Sequence, residues 1–451
     1  MKVAKFGGTS LASAEQIRKV CAILASDPER RIVVVSAPGK RHKHDVKITD
    51  LLIACAERRL AGESAEKELQ AVVARYAVIA FELGVSGETV RAIELDFKAR
   101  LAADPADRGH FTDAIKAGGE DNCARLVAEF LRSQGTEAYY VGPREAGLIV
   151  TAEFGNAQVL PESYANLGML RDRPGVSVFP GFFGYSPEGA VVTFPRGGSD
   201  ITGSILAAAV RADEYENFTD VDSVFAASPH IVPNPQPIPE LTYREMRELS
   251  YGGCSVFHDE ALEPVYRAGV PVRIKNTNNP SAPGTRIVLE RTFAPGSVAG
   301  IASSTGFCSV YVSKYLMNRE IGFGRRLLQI FEEEGLSYEH TPSGIDNISV
   351  ILRMAKFDSA TEARVVERIR TSLAADDVSV ERDLALVMLV GEGMQHTVGI
   401  AARITKAFAR AAVNIEMINQ GSSEVSMMFG VKAADTARAV QALYEEFFQA
   451  R

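Results

Sequence analysis

Lys5-Phe6-Gly7-Gly8-Thr9-Ser10 decides the reading of the N-terminal half. Residues 3–6 form a short β-rich run. Beyond the motif, Ile17, Val20, Cys21 and Leu24 fall at the i, i+3, i+4, i+7 spacing of an amphipathic helix, with Ser13 and Gln16 at capping-box spacing before it. The two glycines therefore sit at a strand-to-helix turn. There they let backbone approach an anion closely, the helix start offers unsatisfied N–H groups, and Lys5 adds a full charge. The segment predicts a phosphate cradle; on its own it is equally compatible with a tight turn beside a surface lysine.

Working outward, the same construction recurs at Pro195-Arg196-Gly197-Gly198-Ser199-Asp200, between an apolar run at 191–194 and a helical pattern over 201–211. Arg196 presents a planar fork suited to a carboxylate. Ser199 offers a hydroxyl donor, and Asp200 can cap the helix, hold an ammonium group or orient Lys5. Gly118-Gly119-Glu120-Asp121 reads as the opening of a further helix over 118–132, whose Glu120 either binds an amino group or only favours the helix dipole. Between these motifs, β-rich runs at 32–37, 138–141, 148–151, 176–179, 217–218 and 271–275 alternate with helical patterns at 49–60 and across most of 61–110. That alternation predicts an α/β fold, a mainly parallel sheet covered by helices on both faces. Neither of the best-known phosphate fingerprints is present. Gly39-Lys40 would need a glycine at the position of Val34, and Gly322-Phe323-Gly324 a third glycine where Leu327 stands.

Bulk properties narrow the class. The chain's 451 residues exceed a single core, so two or three domains are expected. A net charge of −8 argues against a nucleic-acid partner. No apolar run approaches the roughly 20 residues that span a bilayer, and the N-terminus reads as a strand with no signal-peptide core. Cys21, Cys55, Cys123, Cys254 and Cys308 are scattered, without zinc-site spacing. No protein metal cage is expected, and a reducing cytoplasm is.

The C-terminal part repeats itself. Gly322, Phe331, Leu336, Thr341, Gly344, Ile348, Ser349 and Val350 match Gly399, Phe408, Val413, Ile418, Gly421, Val425, Ser426 and Met427 at a constant offset of 77 residues (399 − 322). Each copy reads as strand, glycine-opened helix, strand, turn, strand. Two copies are too few for a solenoid and fit a duplicated α+β sensor or dimerisation module. The turn-rich stretch 276–284 and Ala294-Pro295-Gly296 precede the first copy. The expected domains are 1–290, 298–380 and 381–451, with 297–307 able to supply a strand to the last.

Taken together, these segments resemble the aspartate kinase family. The resemblance rests on 5–10, Val34-Val35-Ser36-Ala37, Ile48-Thr49-Asp50-Leu51-Leu52, Gly119-Glu120, Phe154-Gly155, 196–200, Phe218-Thr219-Asp220-Val221-Asp222, 271–277 and the two repeats, which are similar to ACT modules. They occur in the family's order over nearly the whole chain. The resemblance implies a three-layer α/β/α amino-acid-kinase domain followed by two ferredoxin-like ACT modules. It implies phosphorylation of the β-carboxylate of L-aspartate by ATP, the first step towards lysine, threonine and methionine, with feedback regulation. Lys5 and Asp200 would be catalytic. Ser36, Thr49, Glu120, Phe154, Gly155, Arg196 and Ser199 would bind aspartate, Arg196 at its α-carboxylate and Glu120 at its α-amino group. Lys5, Gly7, Gly8, Thr9, Thr219, Asp220, Phe225, Ser255 and Val256 would face ATP, with Mg²⁺ carried by the nucleotide.

The chain departs from the family in two places. Ser255 stands where many members carry a lysine, and Ser228-Pro229-His230 replaces the usual Asp-Pro-Arg. Residues 39–48 are long and basic, a solvated loop or a lid. In the first repeat, Met317, Gly322, Phe323, Tyr338, Glu339 and Ser343 would bind a lysine or threonine effector, and pairing of ACT modules between chains would make a homodimer. Two other readings stay open: a kinase of another acid such as glutamate, acetylglutamate or carbamate, which would not be expected to carry paired repeats, and a catalytically silent amino-acid sensor.

Overall fold

A computed structural model describes residues 1–449, which divide into two compact units. The first comprises 1–224, 237–247 and 255–291; the second comprises 225–236, 248–254 and the rest of the chain from Thr292. Neither unit is continuous in sequence. Two short pieces from within the kinase-like region belong to the second unit, a feature that the expected domain limits did not contain.

In chain order the first unit opens with β1 (Lys2–Phe6), α1 (Ala14–Ala25), β2 (Arg30–Val35), α2 (Ile48–Leu60), α3 (Glu66–Leu83), α4 (Gly87–Ala102) and α5 (Arg108–Ser133). It continues through β3 (Ala138–Tyr140), α6 (Pro143–Ala146), α7 (Glu162–Gly168), β4 (Val176–Pro180), β5 (Phe183–Tyr185), β6 (Val191–Thr193), α8 (Gly198–Ala209) and β7 (Glu214–Thr219). Then follow β8 (Glu240–Thr242), α9 (Tyr243–Tyr251, whose residues from 248 on count with the second unit), α10 (Leu262–Ala268), β9 (Val272–Asn276) and β10 (Thr285–Val288). One eight-stranded sheet has the order β3-β4-β2-β1-β7-β9-β10-β8 and is parallel except between β9 and β10. The central strands are buried on both faces, as their continuous apolar runs require. Strand alternation sends Ala4 and Phe6 into a core shared with α1, α2, α3 and α5. It sends Lys5 to the opposite face, where α8 packs on β1.

Three sequence readings are corrected here. Residues 148–151 form no strand: Ile149 and Val150 make single bridges to different partners, Tyr185 and Val159, so no ladder propagates. Gly118 and Gly119 do not open a helix; they lie in the middle of α5, which starts at Arg108 with Asp107 as its cap. Their smallness is needed for packing. A Cβ on Gly118 would stand 2.9 Å from the Phe97 ring, and one on Gly119 would stand 2.9 Å from Ala37 Cβ. The glycine turn after β1 enters a short 3-10 turn (Gly8–Leu11), and α1 begins only at Ala14, capped by Ser13.

The second unit contains one antiparallel five-stranded sheet built from both repeats. Its remaining elements are β11 (Gly300–Ser313), α11 (Phe323–Glu333), β12 (Asn347–Arg353), α12 (Ser359–Leu373), β13 (Asp377–Val390), α13 (Ile400–Arg410), β14 (Met417–Gln420), β15 (Ser426–Lys432) and α14 (Thr436–Phe448). The strand order is β12-β11-β13-β15-β14. Gly322 and Gly399 each cap their helix with φ of 78° and 94°, which explains why both copies place glycine there. The copies differ before the turn. The second forms β14, whereas in the first His340 and Ser343 make only isolated bridges, since Pro342 between them has no N–H to donate. Each copy also ends in a helix, α12 or α14, that the strand-turn-strand reading omitted.

Candidate active site

The site lies at the carboxyl ends of the parallel strands, where α/β sheets bind ligands. Backbone hydrogen bonds lock these ends together: Gly7 N–H to Phe218 carbonyl at 3.1 Å, Ser36 N–H to Phe6 carbonyl at 3.2 Å, and Gly181 N–H to Val35 carbonyl at 2.9 Å. Lys5, the fifth residue of the chain, is 7% exposed and ion-paired to Asp200. Asp200 also accepts from Asn217 Nδ2 at 2.8 Å. It does not cap α8: Gly197 occupies the cap position in a left-handed conformation (φ 81°), and the Asp200 carboxylate turns to Lys5 instead. The two glycine turns found in sequence are thus joined by one charge pair.

The residues expected to bind an amino acid lie on α2, α5 and α8 and in the turns after β2 and β6 and before α7. Glu120, 5% exposed, accepts from Ala37 N–H at 3.0 Å through Oε1, while Oε2 is buried with no partner. Burial pushes its carboxyl up to about 8. A buried acid with an orphaned oxygen is suited to receive a cation that brings its own hydrogens. Ser36 and Thr49 are half-buried, at the end of β2 and in the first turn of α2. Phe154 packs on Gly109, where a Cβ would stand 2.6 Å from the ring; Gly155 follows with φ of 76°. Ser199 is buried against Gly181. Arg196 is exposed and, among the described residues, forms no ion pair.

On the nucleotide side, Gly7 and Gly8 are half-buried and Thr9 is exposed. Gly39 N–H donates to Gly8 carbonyl at 2.8 Å, and a Cβ on Gly8 would stand 2.9 Å from Ala37 carbonyl oxygen. The basic 39–48 stretch is anchored: Arg41 and the buried Arg75 of α3 both grip Asp45 at 2.8 Å, and Arg75 donates to Gly39 carbonyl at 3.2 Å. Thr219 ends β7, and the exposed Asp220 follows it. Ser255 is exposed and Val256 half-buried within the first unit, whereas Phe225 belongs to the second. Sequence reasoning missed Phe182, held at φ of 79° with its N–H on Thr202 Oγ1 at 3.0 Å, and Asp113, a buried carboxylate of α5.

In the second unit, Met317 and Phe323 are buried beside the Gly322 cap, and Tyr338 is exposed. Glu339 is already engaged, accepting from Arg353 Nε at 3.0 Å and from the Tyr251 hydroxyl. Ser343 lines a cavity of about 300 Å³ with Ser309, Asn347, Glu381 and Glu416.

Fold and site define a member of the amino acid kinase family: that family's model matches residues 1–276, and an ACT domain model matches 387–447. Aspartokinase 3 of Bacillus subtilis (strain 168) is 62% identical over 448 residues, covering 99% of this chain and 99% of the relative. The solved aspartate kinase of Clostridium acetobutylicum superposes with a TM-score of 0.88 at 37% identity, covering 99% of this chain and 100% of that one. Escherichia coli aspartokinase III, at 26% identity and full coverage of both chains, superposes with TM-scores of 0.83 in complex with aspartate and ADP and 0.80 in complex with lysine and aspartate. This chain belongs to the aspartokinase family and is an aspartate kinase with a C-terminal ACT region. No helix among the described residues is long and apolar enough to cross a membrane.

Proposed function

We propose that the Lys5–Asp200 pair marks the point of phosphoryl transfer from ATP to the β-carboxylate of L-aspartate, giving 4-phospho-L-aspartate and ADP. A β-carboxylate oxygen forms the new bond to the γ-phosphorus while the bond from that phosphorus to the β–γ bridging oxygen breaks, and the electron pair leaves with ADP. The nucleophile is ionised at neutral pH, so no general base is required. What remains is positioning and charge neutralisation. Lys5, held by Asp200, meets the charge on the transferring group, and the backbone of Gly7, Gly8 and Thr9 cradles the phosphates. Arg196 and Ser199 take the α-carboxylate, and Glu120 takes the ammonium group. Ser36, Thr49, Phe154 and Gly155 close the acid's pocket. Thr219, Asp220, Ser255 and Val256 face the nucleoside.

Mg²⁺ bound to the triphosphate supplies further neutralisation. That ion would be liganded mainly by ATP oxygens and water. Lysine, alone or with threonine, would bind at Met317, Gly322, Phe323, Tyr338, Glu339 and Ser343 and inhibit. β14 ends the five-stranded sheet and would offer its outer edge to a second copy in a homodimer. Five free cysteines fit a reducing cytoplasm. The experiment is ATP-dependent acyl-phosphate formation trapped as the hydroxamate, with aspartate beside glutamate and acetylglutamate, each with and without lysine and threonine. Turnover with aspartate, lost on adding lysine or lysine plus threonine, is expected. Turnover with another acid alone would refute the substrate, and an unchanged rate at saturating effectors would refute the regulatory assignment.

A further inference from the structure

We propose that Asp113 is a positioning residue for the substrate acid, setting both acid-binding loops against the helix that carries Glu120. This rests on the site reading above. Asp113 lies two turns before Glu120 in α5 and is 2% exposed. Its Oδ2 accepts from Gly155 N–H at 2.7 Å and from Thr193 N–H at 2.8 Å; its Oδ1 pairs with Lys116 Nζ at 2.8 Å. Gly155 completes the Phe154-Gly155 turn. Thr193 is the last residue of β6, three before Arg196. One carboxylate therefore ties the turn beside Phe154, the strand that delivers Arg196 and Ser199, and the helix that delivers Glu120.

The third bond extends the reach. Lys116 stands over the Phe182 ring at 5.7 Å, and the Gly181-Phe182 turn abuts Ser199, since a Cβ on Gly181 would lie 2.6 Å from Ser199 Oγ. Asp113 itself is satisfied within the protein, as a buried charge must be. It therefore acts through the loops and does not touch the substrate. None of its bonds reaches Gly7, Gly8 or Thr219. Its loss should consequently be felt on the acid side of the site and not on the nucleotide side.

In Asp113→Asn one acceptor is replaced by an amide N–H₂, which is set either against the Lys116 ammonium, with the oxygen kept on Gly155 and Thr193, or against those two backbone donors. With hydroxamate-trapped steady-state kinetics, the KM for aspartate is expected to rise about tenfold or more, with the KM for ATP within about twofold of wild type. A purely structural role would move both constants together or lower only the active fraction. An aspartate KM within about twofold of wild type, or an ATP KM rising in step, overturns the proposal. If Asp113→Asn does not unfold cooperatively, Asp113→Glu, which keeps the buried charge but displaces it by one methylene, is judged by the same criterion. Should the wild type phosphorylate a different acid, the substrate reading fails, and the same two KM values measured with that acid decide the role of Asp113.

Discussion

The glycine turns after β1 and after β6 share a local recipe and differ in what they leave open. In the first, Lys5 is buried and its charge is met by Asp200, and the backbone is closed on itself through Gly7, Gly8 and Gly39. In the second, Gly197 caps α8 without any side-chain bond, and Arg196 stands exposed. A phosphoryl group brings several charged oxygens into a loop built in advance, so the cation there must be held still before the ligand arrives. A carboxylate instead completes a bidentate pair with an arginine that is free to receive it. On the roles proposed for them, the difference separates a turn organised for the transition state from one organised for binding.

Two substitutions test that separation. Lys5→Met should lower kcat by about a thousandfold or more, with a smaller change in aspartate KM, because it removes charge stabilisation in the transferring state. The hydroxamate assay at saturating substrates reads this directly. Arg196→Ala should raise the KM for aspartate by about a hundredfold, the value of a charge-assisted bidentate contact, and leave the KM for ATP near wild type. If Arg196→Ala lowers kcat as severely as Lys5→Met while aspartate KM holds, the two turns do not divide transfer from binding, and the comparison breaks.

The extent to which these features could be read in advance follows from how local they are. The parallel sheet was legible because its strands are continuous apolar runs punctuated by glycine turns. Both glycine turns were legible because glycine, charge and helix start are adjacent in sequence. Glu120 was legible as a residue and illegible in its setting: Gly118-Gly119 has the composition of a helix start, and only the packed neighbours Phe97 and Ala37 explain glycines in mid-helix. Asp113 carried no local signal, since its two backbone partners lie 42 and 80 residues downstream. The inclusion of 225–236 and 248–254 in the second unit was hidden for the same reason. The helix closing the first repeat was within reach: Asp358 caps it, and Val365, Ile369 and Leu373 repeat every fourth residue.

Glu120 falls between the two turns, and its titration sharpens the comparison. Folded, it keeps its proton up to about pH 8; unfolded, it loses it near the ordinary 4.5. The folded state therefore binds more protons across that window. The carboxyl's contribution to stability falls as pH rises from about 4.5 to about 8 and is level above it. Glu120→Gln cannot ionise, so its melting temperature should match wild type near pH 5 and exceed it near pH 8.5. The displacement caps the gain at about 5 kcal/mol, and relaxation around a real buried carboxylate leaves about 1–2 kcal/mol expected. Scanning calorimetry across pH decides this, and a pH-independent difference would mean that burial is not what holds the proton. The same logic reaches binding. An arriving ammonium group satisfies the orphaned Oε2 and favours the carboxylate, so aspartate binding below about pH 8 should release a proton in the wild type and none in Glu120→Gln. Titration calorimetry in buffers of different ionisation enthalpy counts that proton. If none is released, Glu120 enters the complex neutral, and it belongs with the preset turn at Lys5 rather than with the ligand-completed turn at Arg196.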